Sequence, residues 1–334
     1  MTTTLDPTPP LLNVGPVPWW LRGGHLETIL PALLGAPVLP FPADRREVEV
    51  TPGCAVETFL SRPLAAVHGR GSVLVVHGLG GSAGRPHVQA MAVEALSRGW
   101  HAVRMNLRNH GGTAALSSTL FHAAQSEDVG AVLEAMEEWG LPRPYVVLAI
   151  SLGANTALRY ASIEGDASRA DAIAALNPAL DFFRIEQEIA RRSNLVYRMT
   201  FVRGLCRMIE EARALREVDG PAASPWRIKT VRRFDAAFTA PAAGYPDVDE
   251  YYADAGAGTR LDGLRVPALL LTALNDPFVP ADIVRPHHGA AGGRVQVALA
   301  DRGGHVGYRI REGGASRFWA AATMLDWAED RVAS

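Results

Sequence analysis

Ser151, Asp276 and His305 are residue types that together can perform acyl transfer through a serine ester. A serine hydroxyl attacks a carbonyl well only when a histidine takes its proton and returns it to the leaving group. The histidine in turn needs an acid to hold its tautomer and offset the imidazolium charge. The three follow one another in the order nucleophile, acid, base, one of the orders in which such a trio is assembled. Around Ser151 the sequence is the most informative. Tyr145-Val-Val-Leu-Ala-Ile150 is an apolar run, and Leu152-Gly-Ala-Asn-Thr-Ala-Leu158 begins a small-residue helical pattern at once behind it. A buried strand that breaks into a helix within one residue forces that residue to positive φ and pushes its side chain out at the top of the sheet. Gly153 keeps strand and helix apart by no more than a hydrogen, while Ala149 stands where a glycine is usual. A tetrahedral oxyanion needs two backbone donors. The N–H of Leu152 is one, and the N–H of Leu79, in the loop His77-Gly-Leu-Gly-Gly-Ser82, is the other. That loop lacks the Lys-Ser/Thr pair of a phosphate-binding loop, and His77 reads as its brace. Taken singly, the three residues read as a helix cap, a turn acid and a loop histidine; only together are they specific.

The elements that must position them alternate. A hairpin is expected at Arg46–Val50 and Ala55–Leu60 around Thr51-Pro52-Gly53. Buried strands follow at Ser72–His77, Trp100–Met105, Tyr145–Ile150, Ala172–Leu176, Pro267–Ala273 and Val295–Leu299. Helices are expected at Pro86–Ser97, from Ser126 as a capping residue to Gly140, and at Ser316–Val332. Asp128 reads as an acid suited to the helix dipole. Asp276 and His305 each lie on a loop just past a strand, at the carboxyl edge of the sheet where crevices form. From Asp181 to about Gly258 the strand pattern stops. Leu195, Met199, Val202, Cys206 and Ile209 recur there at helical spacing with arginines opposite. This predicts an inserted, mainly helical cap, with Phe182, Phe183 and Phe201 available to line an acyl pocket. Residues 1–18 read as disordered or extended, and 18–31 as a partly helical arm that covers the core. The expected division is an N-terminal extension at 1–41, core at 42–180, cap at 181–258 and core again at 259–334.

Composition removes other functions. With 33 basic against 35 acidic side chains, and Lys229 the one lysine, there is no field for nucleic acid or anionic lipid. Cys54 and Cys206 form neither a CxxC nor a zinc spacing, and read as unpaired structural thiols. His110, His122, His287 and His288 show no metal-ligand spacing, so neither a metal nor any other cofactor is expected. The start of the chain has no basic n-region or long apolar h-region, and no eighteen apolar residues run together. A soluble, cytoplasmic protein is expected, with peripheral lipid contact at an apolar mouth left open.

The trio with its glycine-rich loop resembles the α/β-hydrolase family that includes the YheT-type predicted esterases, the yeast medium-chain ethanol O-acyltransferases and the mammalian abhydrolase-domain lipases. The residues that carry the likeness also include Leu21-Arg-Gly-Gly-His-Leu-Glu-Thr28, Asn106-Leu-Arg108, Phe234-Asp to Thr239-Ala-Pro, Tyr251-Tyr252, Asn275-Asp-Pro-Phe278 and Gly304-His-Val-Gly307. The resemblance implies an α/β-hydrolase fold, a mostly parallel central sheet flanked by helices, with Ser151, Asp276 and His305 as the triad. Asn275 departs from it, standing where an acid often precedes the aspartate. The function expected is cleavage of carboxylic esters of short to medium acyl chain through an acyl-serine intermediate. The alternatives are an alcohol acyltransferase that makes esters and a catalytically silent binding protein of the same fold.

Overall fold

The computed structural model describes residues 8–15, 22–33, 41–64, 70–312 and 315–333. The expectations for residues 1–7 and for 16–21 of the arm lie outside them. The apolar runs form one sheet of nine strands: β1 (Leu11–Leu12), β2 (Asp44–Thr51), β3 (Cys54–Ser61), β4 (Ser72–Val76), β5 (His101–Met105), β6 (Tyr145–Ile150), β7 (Ala172–Leu176), β8 (Ala268–Ala273) and β9 (Val295–Ala300), in the order β1-β9-β8-β7-β6-β4-β5-β3-β2. All pairs are parallel except β2 with β3 and β3 with β5. The parallel strands from β4 onward are mostly apolar because both faces are covered, with His101 and Arg104 on β5 and Gln296 on β9 as interruptions. On β4, Val73 and Val75 point to one face, where they pack with Met91 of α2 (Pro86–Ser97) and Leu325 of the C-terminal helix. Leu74 and Val76 point to the other, towards Val132 of α3 (Glu127–Glu138) and Leu158 of α4 (Leu152–Glu164). Each such side chain taken from water contributes about 1.5–3 kcal/mol.

Before β2, residues of the arm form α1 (Gly24–Leu33). The residues between β7 and β8 hold no strand among those described. They carry α5 (Phe182–Ala190), α6 (Leu195–Arg213), α7 (Val231–Phe234), a π-turn over Asp235–Thr239, α8 (Ala240–Ala242) and α9 (Val248–Ala255). Asp181 caps α5 by accepting the Arg184 N–H, and Asp247 caps α9 by accepting those of Asp249 and Glu250. This segment is fastened to α4 by Asn155, whose amide donates to Ala255 O at 2.9 Å and whose oxygen accepts the Ala257 N–H at 2.7 Å. Helix α10 (Ala290–Gly293) precedes β9, after which come the hairpin β10 (Arg309–Glu312) and β11 (Ala315–Phe318), and α11 (Trp319–Val332).

Four expectations are corrected. The last helix begins at Trp319, because Ser316, Arg317 and Phe318 pair across the hairpin with Arg311, Ile310 and Arg309. Ser126 does not cap α3 through its side chain; its φ of −84° and ψ of −20° are already helical, whereas a capping hydroxyl needs an extended backbone. Asp128 is buried and held by the Arg108 guanidinium, with bonds of 2.8 and 3.0 Å from Nε and 2.5 Å from Nη2, so it is an ion-pair partner before it is a dipole partner. On α6 the buried face is Tyr197, Val202, Leu205, Cys206, Met208, Ile209 and Ala212, while Leu195 and Met199 of the expected stripe are exposed. Both cysteines are buried and unpaired.

Candidate active site

Ser151 stands between the last residue of β6 and the first of α4, with φ 56° and ψ −117°. The conformation is held from both sides: its N–H donates to Leu176 O at 2.9 Å, and its carbonyl accepts from Asn155 N at 3.1 Å and Ala179 N at 3.2 Å. The close approach that the elbow demands is visible at Gly153, where a β-carbon would lie 2.3 Å from His77 O and 2.9 Å from Val76 O. Ala149 is tolerated since it lies in the strand ladder between Val76 and Ala175, itself a small residue. A β-carbon on Gly78 would be 3.0 Å from that of Ser151, so the glycine-rich loop lies directly against the serine. Neither Leu79 N nor Leu152 N donates to a protein acceptor among the described residues. Leu152 opens a helix, where the first amides have no intrahelical partner.

His77 is fully buried. Its Nε2 accepts the Leu107 N–H at 3.1 Å, so the ring proton is on Nδ1 and donates to Gly78 O at 2.8 Å. Burial holds its pKa well below the ordinary histidine value, and the nearby His110 pushes the same way. A neutral ring with both nitrogens engaged braces the loop, as the sequence suggested.

Asp276 and His305 follow β8 and β9 at the same edge of the sheet. Oδ2 of Asp276 accepts from Nδ1 of His305 at 2.7 Å, while Oδ1 accepts the N–H groups of Phe278 at 3.0 Å and Val279 at 2.9 Å. The carboxylate is thereby locked by its own turn, and the bond it accepts leaves a lone pair on Nε2. The Phe278 ring lies 4.2 Å from the imidazole, centroid to centroid. The backbone of the histidine loop is gripped from outside it: Asn177 Nδ2 donates to His305 O at 2.5 Å, and Asn275 Oδ1 accepts the Gly304 N–H at 2.9 Å. An amide at 275 therefore does a positional job for which no charge is needed. Asn177 escaped the sequence reading; its one signal was a polar residue just past a buried strand.

Ser151, Leu79, Leu152 and His305 all line one cavity of about 710 Å³. Its other walls are mainly apolar and come largely from the segment between β7 and β8: Phe182, Ile185, Ile189, Tyr197, Phe201 and Leu205. Phe183 does not take part; it turns its edge to Tyr252 instead. Among the described residues no hydrogen bond joins the Ser151 hydroxyl to the imidazole, and such bonds often tighten only when substrate is bound. Two wall residues are acids, Glu186 and Asp235. Asp235, in the π-turn, accepts from Thr239 Oγ1 at 2.7 Å and Tyr252 OH at 2.8 Å, and burial raises its pKa to about 6 against the pull of those two bonds. His87, which lines the same cavity, is driven down to about 3 by burial and by Arg85. Among the described residues no group of three His, Cys, Asp or Glu side chains could hold a metal ion, and no helix is long and apolar enough to cross a membrane.

The chain is similar to "Putative esterase YheT" of Escherichia coli (strain K12), 27% identical over 312 residues that cover 91% of this chain and 89% of that one. It is also 27% identical to "Medium-chain fatty acid ethyl ester synthase/esterase 2" of Saccharomyces cerevisiae over 288 residues, 76% of this chain but 61% of the yeast protein. Among solved structures, 2,6-dihydroxy-pseudo-oxynicotine hydrolase superposes with a TM-score of 0.59 at 16% identity, over 92% of this chain and 71% of that one, which is a likeness of fold. The family model described as alpha/beta hydrolase fold matches residues 71–308, the stretch that runs from the strand before the glycine-rich loop past the histidine. By that match and by its own nine-stranded sheet, the chain belongs to the alpha/beta hydrolase fold family.

Proposed function

We propose that the protein hydrolyses carboxylic esters of short to medium acyl chain through an acyl-serine intermediate, with Ser151 as nucleophile, His305 as general base and then acid, and Asp276 as the group that orients it. The observation that carries this reading is a serine at strained positive φ on the wall of a cavity that it shares with a histidine bonded at 2.7 Å to a buried aspartate. In the reaction, Nε2 of His305 takes the Oγ proton as Oγ attacks the ester carbonyl. The carbonyl oxygen, now an anion, is held by the N–H groups of Leu79 and Leu152, each such donor typically contributing ~10²–10³ in kcat. The imidazolium returns the proton to the departing alcohol, and water repeats the sequence on the acyl-serine. The apolar walls suit the acyl chain. The helical segment 181–258 is in this reading a cap over the site, on a core formed by 42–180 and 259–334.

Chromogenic esters graded by acyl length test the proposal. Turnover peaking at short or medium chains and falling by up to ~10⁶ in Ser151→Ala is the expected result; a Ser151→Ala enzyme with most of its activity overturns it. A second reading, transfer of the acyl group to an alcohol, is favoured by the mainly apolar walls, which disadvantage water, and by the double activity in the yeast relative's name. Product analysis with added ethanol separates the two: absence of ethyl ester at every ethanol concentration removes the second.

A further inference from the structure

The motif Arg22-Gly-Gly-His-Leu-Glu-Thr28 has no part in the chemistry above, yet it is built into the histidine loop. Two buried side chains of α1 take the backbone N–H groups of that loop. Glu27 Oε2 accepts from Gly303 at 2.8 Å, and Thr28 Oγ1 accepts from His305 itself at 2.9 Å while donating to Gly24 O at 2.6 Å. The other carboxylate oxygen of Glu27 accepts the Gly23 N–H at 3.1 Å, which fixes the start of the helix. The contact is backbone against backbone. A β-carbon on Gly307 would lie 2.1 Å from Glu27 O, one on Gly304 2.5 Å from Thr28 Oγ1, and one on Gly24 1.9 Å from Asn275 O. No side chain larger than hydrogen fits at any of the three. On its other side α1 meets α6: the His25 ring stacks on Tyr197 at 5.7 Å, and Tyr197 packs at 5.2 Å on Phe278, the ring that lies against the imidazole.

We propose that α1 is the positioning element of the active-site histidine. Thr28 and Glu27 fix the Gly303–His305 backbone and so the aim of the imidazole between Asp276 and Ser151, and His25 with Tyr197 ties the same helix to the wall of the acyl cavity. Neither Thr28 nor Glu27 exchanges a proton with substrate; they act through His305, and the inference therefore rests on the proposed role of that residue. A base held by only part of its supports loses alignment, and a displacement of about 1 Å can cost ~10²-fold in rate.

The test is Thr28→Val, which keeps the shape and removes the acceptor, beside Thr28→Ser, which restores it, and Glu27→Gln should the valine variant fail to fold. Active sites are counted with a fluorophosphonate so that unfolded protein does not enter the rate. The expected result for Thr28→Val is a fall of about 10²-fold in kcat per titrated site with KM little changed. Thr28→Ser should return kcat per site to near wild type, a rescue that a merely structural defect would not show. Unchanged kcat per site, in Thr28→Val or in Glu27→Gln, overturns the inference; so does a loss wholly explained by fewer titratable sites. His305→Ala in parallel tells the two failures apart: if it stays active, the assignment of the base is wrong and the inference falls with it, whereas an inactive His305→Ala beside a normal Thr28→Val removes only the role given to α1.

Discussion

The two oxygens of Asp276 divide their work: one is consumed by the turn that holds the side chain still, the other faces Nδ1 of His305. In Asp276→Asn the turn can keep its acceptor, and the amide then offers N–H where the imidazole also has N–H, which forces the wrong tautomer. Steady-state kinetics should show kcat reduced by ~10⁴ with the protein still folded; a reduction of only a few-fold would mean that the pair is structural. Asp235 makes a different prediction, about stability. Burial raises its folded pKa to about 6 from the ordinary 3.8. Between those values the folded protein holds a proton that the unfolded chain has released, so this residue's contribution is fully present below about pH 4 and is lost as pH rises through 6. Urea denaturation of wild type and Asp235→Asn from pH 4 to 7.5 should show wild type losing up to about 3 kcal/mol relative to the variant across that window; a constant difference would contradict the assignment. Ser151, Asp276 and His305 were legible in the sequence because each ends or follows an apolar run. The roles of Glu27, Thr28 and Asn177 were not, although Glu27 and Thr28 fall in the quoted Leu21–Thr28 motif, since a side chain that binds the backbone of a loop more than a hundred residues away leaves no periodicity behind.

Helix α4 meets the end of strand β4 at a gap that only hydrogen fills at position 153. Gly153→Ala should push the helix off His77 O, lower the melting temperature and reduce kcat/KM by about 10²-fold through displacement of the Leu152 N–H. Ala149→Gly is the contrast. It should leave activity within a few-fold of wild type and cost about 0.5–1 kcal/mol of stability from chain entropy; an equal loss in both variants would mean that the gap at 153 is not what positions the elbow. Strands β2 to β9 were readable to within a residue or two, the hairpin by its alternation and the buried parallel strands as runs mostly of Val, Leu, Ile and Ala. Two features were not readable. The β10–β11 hairpin carries charged side chains in place of an apolar alternation, and on α6 the helical spacing was right while the depth of burial was set by where its neighbours end.

For the molecule as a whole, the helical segment between β7 and β8 determines what the serine can meet. It contributes most of the apolar walls of the cavity, and Asn155 pins it to the very helix that begins at the serine. Phe201 lines the cavity and packs edge-on against Phe278 at 5.6 Å. Phe201→Ala should therefore lengthen the preferred acyl chain, each further methylene buried adding about 0.8 kcal/mol, roughly four-fold in kcat/KM. An unchanged chain-length profile would show that the acyl group lies elsewhere. The central claim, that Ser151 is a nucleophile activated by His305, is tested most directly by reacting the folded protein with a fluorophosphonate and locating the adduct by peptide mass spectrometry. The account predicts one adduct, on Ser151, absent from Ser151→Ala and strongly slowed in His305→Ala. An adduct on another residue, or a folded protein that stays unmodified at Ser151, would contradict it.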